Sequence, residues 1–168
     1  MTDPAIIIAE PAAKASMLIR KPAAAVFEAF IDPNITSQFW YSRGSGRLET
    51  GKPVTWYWDD YDASSEVTAH AIIQDKLIFF TWPGPDGLPT TVNISFTAWG
   101  SNATYVQVEE KGWDPGTKEL IKIIVGQTEG WTLVLAGLKA FLEHGIQLQL
   151  VPDQNPNVSA THKKGITA

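Results

Sequence analysis

The last third of the chain constrains its fold more than any other stretch. Residues 91–99 and 104–113 read as paired strands around the turn Trp99-Gly100-Ser101-Asn102, and one long apolar-striped segment follows. At the centre of that segment stands Glu129-Gly130-Trp131-Thr132-Leu133-Val134-Leu135-Ala136-Gly137-Leu138. Leu120, Ile124, Trp131, Leu135, Leu138 and Leu142 keep helical spacing, which predicts a helix over 117–144 stopped by Gly145. A run of strands ending in a single amphipathic helix can curve around that helix, and the space between them suits an apolar ligand.

The preceding residues supply the rest of the sheet. A strand over 16–20 ends at Lys21-Pro22, where proline fits the first turn of a helix because its missing N–H is not needed there. The helix over 23–31 gathers Val26, Phe27 and Phe30 on one face, and Asp32-Pro33 ends it and caps a second short helix over 34–40 carrying Ile35, Phe39 and Trp40. From Gly44 onward, turn residues recur at intervals of about ten, the mark of an antiparallel meander. Its strands are expected at 47–50, 53–59, 66–74 and 76–82. Gly126, Gly130 and Gly137 interrupt the long helix at about 1 kcal/mol each relative to alanine, predicting a kink or close backbone approach near 126–130. Ile146, Leu148 and Leu150 alternate as a short strand or extended tail would. The resulting organisation is a flexible arm at 1–14, one domain at 15–145, and a partly disordered extension at 146–168.

Composition narrows the function classes. The 168 residues suffice for a core without staples, and 44% hydrophobic with 18% charged residues is ordinary for a compact chain. With no cysteine, the sequence excludes disulfides, thiolate nucleophiles and cysteine-bound zinc. A net charge of -5 with no concentrated basic stretch argues against nucleic acid. The apolar run Ile6-Ile7-Ile8-Ala9 is too short for a membrane span, so the reading is a soluble, cytoplasmic protein.

Seven tryptophans exceed what a small core requires, and large aromatics line apolar pockets while their N–H groups fix polar ends of ligands. Strand parity turns Val92, Ile94, Phe96 and Ala98 toward the helix, together with Thr104, Val106 and Val108 on the next strand, and leaves Tyr105, Gln107 and Glu109 outside. Val54, Trp56 and Trp58 share an inward face with Tyr57 outside, whereas parity does not orient Phe79 and Phe80. No catalytic group stands out. His70 reads as structural or solvated, His144 as a cap on the helix dipole, and Asp59, Asp60 and Asp62 as a solvated turn rather than a metal site. Arg20 and Arg43 read as surface ion-pair residues.

The order of elements, with Ile19-Arg20-Lys21-Pro22-Ala23-Ala24-Ala25-Val26-Phe27-Glu28-Ala29-Phe30, Asp32-Pro33, Phe39-Trp40, Leu77-Ile78-Phe79-Phe80-Thr81-Trp82, Gly112-Trp113 and Gly130-Trp131, resembles the START-like or SRPBCC superfamily. Within it, the chain resembles the branch named for the activator of heat-shock-protein-90 ATPase homologue. The resemblance implies an α+β helix-grip fold: a curved antiparallel sheet wrapped around a long C-terminal helix, with two short helices after the first strand. It also implies a pocket between sheet and helix, without implying a reaction; no cofactor is expected. Combined with the aromatic surplus, it designates Trp40, Tyr41, Trp56, Trp58, Phe80, Phe96, Trp131 and Leu135 as ligand-binding residues for a small apolar or aromatic molecule. Two alternatives stay open, a protein-interaction module with a chaperone partner and a cyclase- or hydrolase-like enzyme using the same pocket. Exposed edge strands leave a homodimer open as well.

Overall fold

A computed structural model describes residues 9–158. Strand β1 (Ala12–Ile19) leads into helices α1 (Ala23–Ile31) and α2 (Pro33–Thr36), followed by strands β2 (Arg43–Gly44), β3 (Val54–Trp58), β4 (Ala63–Ile73), β5 (Leu77–Pro83), β6 (Pro89–Trp99) and β7 (Ala103–Lys111). Helices α3 (Leu120–His144) and α4 (Leu150–Gln154) close the described chain. The strands form one antiparallel seven-stranded sheet in the order β1-β7-β6-β5-β4-β3-β2, with α3 packed chiefly across β1. This is the α+β helix-grip arrangement.

Pairing explains where elements begin. β1 starts at Ala12, inside the stretch expected to be a loose arm, because it runs in register with β7 from Ala12↔Lys111 to Ile19↔Thr104. Residues 9–11 of the expected arm carry no regular structure, and residues 1–8 lie outside the described residues, as do residues 159–168 of the extension. The helical wedge follows its predicted signals. Asp32 Oδ1 accepts from the Asn34 N–H at 2.9 Å, and Pro33 opens α2. α2 is shorter than expected, but hydrogen-bonded turns carry the backbone on to Trp40, whose N–H donates to the Thr36 carbonyl at 3.0 Å.

Two strand expectations are corrected. No strand forms over 47–50; the short partner of β3 is instead β2, with Arg43 opposite Tyr57 and Gly44 opposite Trp56. Leu48 is buried and its N–H donates to the Ile31 carbonyl at 3.1 Å, so this segment is held against α1, while isolated bridges from Glu49 to Lys52 and from Thr50 to Ala69 tie its end to the sheet. After Gly145 the apolar alternation yields no strand. Gly145 and Ile146 satisfy the last carbonyls of α3 as a left-handed cap, and the chain then folds back into α4, whose Val151 packs on the core.

The inward faces of β3 to β7 meet α1 and the C-terminal half of α3. Val67, Ile78, Phe80, Val92, Val106, Leu135 and Leu138 are fully buried there. Phe80 faces inward, while Phe79 lies on the other face beside His70. Parity holds along β6 for Val92, Ile94 and Phe96 but not for Ala98, which is exposed near the strand's end. The close backbone approach expected near 126–130 occurs further along the helix. A Cβ on Gly137 would stand 2.9 Å from the Phe39 carbonyl oxygen, whereas Gly126 and Gly130 face open space.

Candidate functional site

β-Strand parity and helical spacing bring four indoles to one edge of the molecule. Trp58 on β3 and Trp82 on β5 point inward from neighbouring parts of the sheet, Trp40 arrives from the end of the helical wedge, and Trp131 projects from α3. Their ring centroids are 5.1 Å apart for Trp40 and Trp131, 5.6 Å for Trp82 and Trp131, and 6.3 Å for Trp58 and Trp82. They border an open cleft of about 190 Å³, completed by Gln127, Gly130 and Val134 of α3 and by Val151 and Gln154 of α4. Residues 127, 130, 131 and 134 recur at one helical face, so a single stripe of α3 forms the wall.

Beside the cleft lies a buried carboxylate. Glu110 of β7 is fully buried and receives four hydrogen bonds: Oε1 accepts from Thr90 Oγ1 at 2.7 Å, Trp82 Nε1 at 2.9 Å and Gln127 Nε2 at 3.3 Å, and Oε2 accepts from Trp131 Nε1 at 2.8 Å. Indole N–H groups can only donate, so they are matched to an acceptor with two oxygens and several lone pairs. No lysine, arginine or histidine among the described residues pairs with Glu110. One side chain thus joins three strands to the long helix through neutral donors alone.

The residues designated from sequence divide into three groups. Trp40, Trp58 and Trp131 border the cleft. Trp56 and Phe80 form the packed layer behind it, 4.9 Å from Trp40 and 5.8 Å from Trp82 respectively between ring centroids. Tyr41 stacks on Trp56 at 5.0 Å and faces a second groove of about 200 Å³, between the wedge and residues 147–152. Burial pushes the Tyr41 hydroxyl up to about 12, a hydrogen bond with Thr36 offsetting part of that rise. Phe96 and Leu135 lie apart from the cleft: Phe96 packs edge-on against Phe27 and Phe30, and Leu135 is fully buried in the core.

Sequence reasoning passed over Trp82, Gln127, Thr90 and Glu110. The signal for Glu110 was present, since the alternation that turns Thr104, Val106 and Val108 inward reaches Glu110 two residues later. Glu109 points outward, and its ion pairs with Lys14 and Lys111 hold its carboxyl below the usual range. His70 is exposed and shares a 2.8 Å hydrogen bond with Thr81 Oγ1. Arg43 lies over Tyr57 and makes a two-pronged surface pair with Asp59. No group of three or more histidine, aspartate or glutamate side chains among the described residues is placed to hold a metal ion.

Residues 20–143 match the family described as activator of Hsp90 ATPase homolog 1-like protein. The chain belongs to this family. A solved member of the same fold, protein SSP2350 of Staphylococcus saprophyticus, is 33% identical, with 83% of this chain and 96% of that chain covered and a TM-score of 0.72. The homolog 1-like fold also appears in the Aha1 dimer of Colwellia psychrerythraea, at 16% identity, 80% and 98% coverage and a TM-score of 0.69. A third similar structure is DynU16, from the dynemicin biosynthetic locus, at 21% identity and a TM-score of 0.70; the match spans 81% of this chain and 48% of that one. Comparison with curated proteins gives no match. No helix among the described residues is long and apolar enough to cross a membrane.

Proposed function

We propose that this homolog 1-like protein binds a small aromatic molecule in the cleft that Trp58 of β3 and Trp82 of β5 form with α3. The observation that carries this reading is the convergence of Trp40, Trp58, Trp82 and Trp131 on one opening, with polar groups at Gln127 and Gln154. An apolar cavity of about 150 Å³ accepts benzene, so an opening of about 190 Å³ suits one ring with a short substituent. Trp56 and Phe80 serve as the packed support that fixes the cleft indoles rather than as contacts. Membership in a superfamily that uses this fold as a container is consistent with the reading but does not name the ligand.

Titration with single-ring aromatic compounds, followed by tryptophan fluorescence, tests it. A saturable change is expected, and Gly130→Leu should abolish it. Gly130 borders the cleft and has open space where a side chain would go, so leucine fills the opening without disturbing the core. No saturable response from any such compound, or a response that survives Gly130→Leu unchanged, sinks the proposal.

A second reading, a docking module for a chaperone or a second copy, draws on the exposure of Ile121 (80%) and Val125 (59%) on α3. It predicts that Ile121→Lys weakens association measured by analytical ultracentrifugation or chaperone pull-down. A monomer that retains no chaperone removes it.

A further inference from the structure

A buried carboxylate lies beside the aromatic cleft. Glu110 is fully buried, pairs with no cation among the described residues, and is bonded only to neutral donors. Burying a carboxylate without a counter-ion is costly, and here neutral donors alone offset that cost. Three of its donors, Trp82, Trp131 and Gln127, also border the cleft, so the carboxylate stands one side chain behind the opening. The indoles there present π faces, which attract organic cations.

Gln127 is the weakest member of the set. Its amide makes the longest of the four hydrogen bonds, 3.3 Å, and its half-buried side chain faces the cleft rather than being held by strand packing. Gln127 both donates to Glu110 Oε1 and borders the cleft, whereas Thr90 and the two indoles hold the carboxylate from other elements and at shorter distances. The Gln127 NH₂ therefore occupies the place of a ligand's N–H donor.

Resting on the cleft reading above, we propose that the ligand carries an alkylammonium group whose N–H replaces the Gln127 amide at Glu110 Oε1 while its apolar part lies against Trp40, Trp58 and Trp82. The carboxylate supplies charge recognition, the indoles supply cation–π attraction, and the cleft volume limits the ligand to about one ring.

A matched pair of probes, benzylammonium and benzyl alcohol, tests the inference by isothermal titration calorimetry on the full chain. Benzylammonium should bind about tenfold more tightly than the alcohol. Glu110→Gln should erase that preference, with near-ultraviolet circular dichroism checking that the indole packing survives. Gln127→Ala keeps the proposal testable if Glu110→Gln fails to fold, because it removes the competing amide and should strengthen benzylammonium binding more than binding of the alcohol, widening the gap between the two probes. Equal binding of the two probes overturns the ammonium inference and leaves the aromatic cleft standing. Failure of both probes to bind overturns the cleft reading with it. A Gln127→Ala variant that binds benzylammonium less tightly assigns Gln127 as a direct ligand contact and also overturns the inference.

Discussion

Gly137 and Gly126 occupy the same helix and should respond oppositely to the same change. At Gly137 an added methyl group meets the Phe39 backbone carbonyl at 2.9 Å, where no flexible side chain can yield. Gly137→Ala is expected to lower stability by about 2 kcal/mol through overpacking between α3 and the wedge. Gly126 has open space around it, so Gly126→Ala should gain about 1 kcal/mol from helix propensity. Urea denaturation of the two variants checks the contrast, and a stable Gly137→Ala protein would show that Phe39 is not held where it stands here. Single residues also mark the limits of reading by pattern. Parity along β7 suffices to place Glu110 inside, but nothing local reveals that Trp82, Thr90, Gln127 and Trp131 will converge on it from three other elements.

At the scale of elements, the end of α3 is fastened to the end of β1 by a polar clasp. The nearly buried Glu143 carboxylate, 8% exposed, accepts from the Arg20 N–H and from Lys139 Nζ, both at 2.6 Å, and the same ammonium donates to the Leu18 carbonyl at 2.8 Å. Burial alone would raise the Glu143 carboxyl, but the Lys139 ammonium and the Arg20 N–H outweigh it and hold the group below its usual range. A carboxyl depressed in the folded state contributes stability that is fully present above its unfolded value of about 4.3 and is lost as pH falls through the folded value. Glu143→Gln should therefore cost about 2 kcal/mol at neutral pH and flatten the loss of stability below about pH 4. Thermal melts from pH 7 to pH 3 read both effects, and a variant whose acid profile matches the parent would place the titration elsewhere. The helix and its glycine stop are plain from the spacing of Leu120 to Leu142 and from Gly145, whereas the clasp joins residues 123 positions apart and has no sequence signature.

Across the whole molecule, the chain beyond α3 returns to complete the cleft. Val151 and Gln154 border the indoles, residues 147–152 wall the neighbouring groove, and the Tyr61 hydroxyl donates to the Val151 carbonyl to hold the segment down. A chain ending at Gly145 should keep its far-ultraviolet spectrum while losing about 1 kcal/mol of stability with the packing of Val151. Its tryptophan emission should move to longer wavelength as the cleft opens to water. An unchanged emission spectrum would mean that residues 146–154 do not shield the indoles in solution.

What the sequence determined by itself is the framework. Period-2 alternation, turn residues at regular intervals and one long helical stripe leave few arrangements besides an antiparallel sheet clasping a terminal helix, because each pattern has only one face to bury. Local signals also fixed the helix boundaries at Pro22, Asp32 and Gly145. Only the tertiary structure decided which aromatics border an opening and which merely pack: Phe96 and Trp58 share inward parity on their strands, yet one meets Phe27 and Phe30 while the other meets the cleft. Parity states the side of the sheet, but distance along the helix and the path of the returning chain set what lies opposite. The same holds for Glu110, whose burial follows from alternation and whose donors follow from the fold.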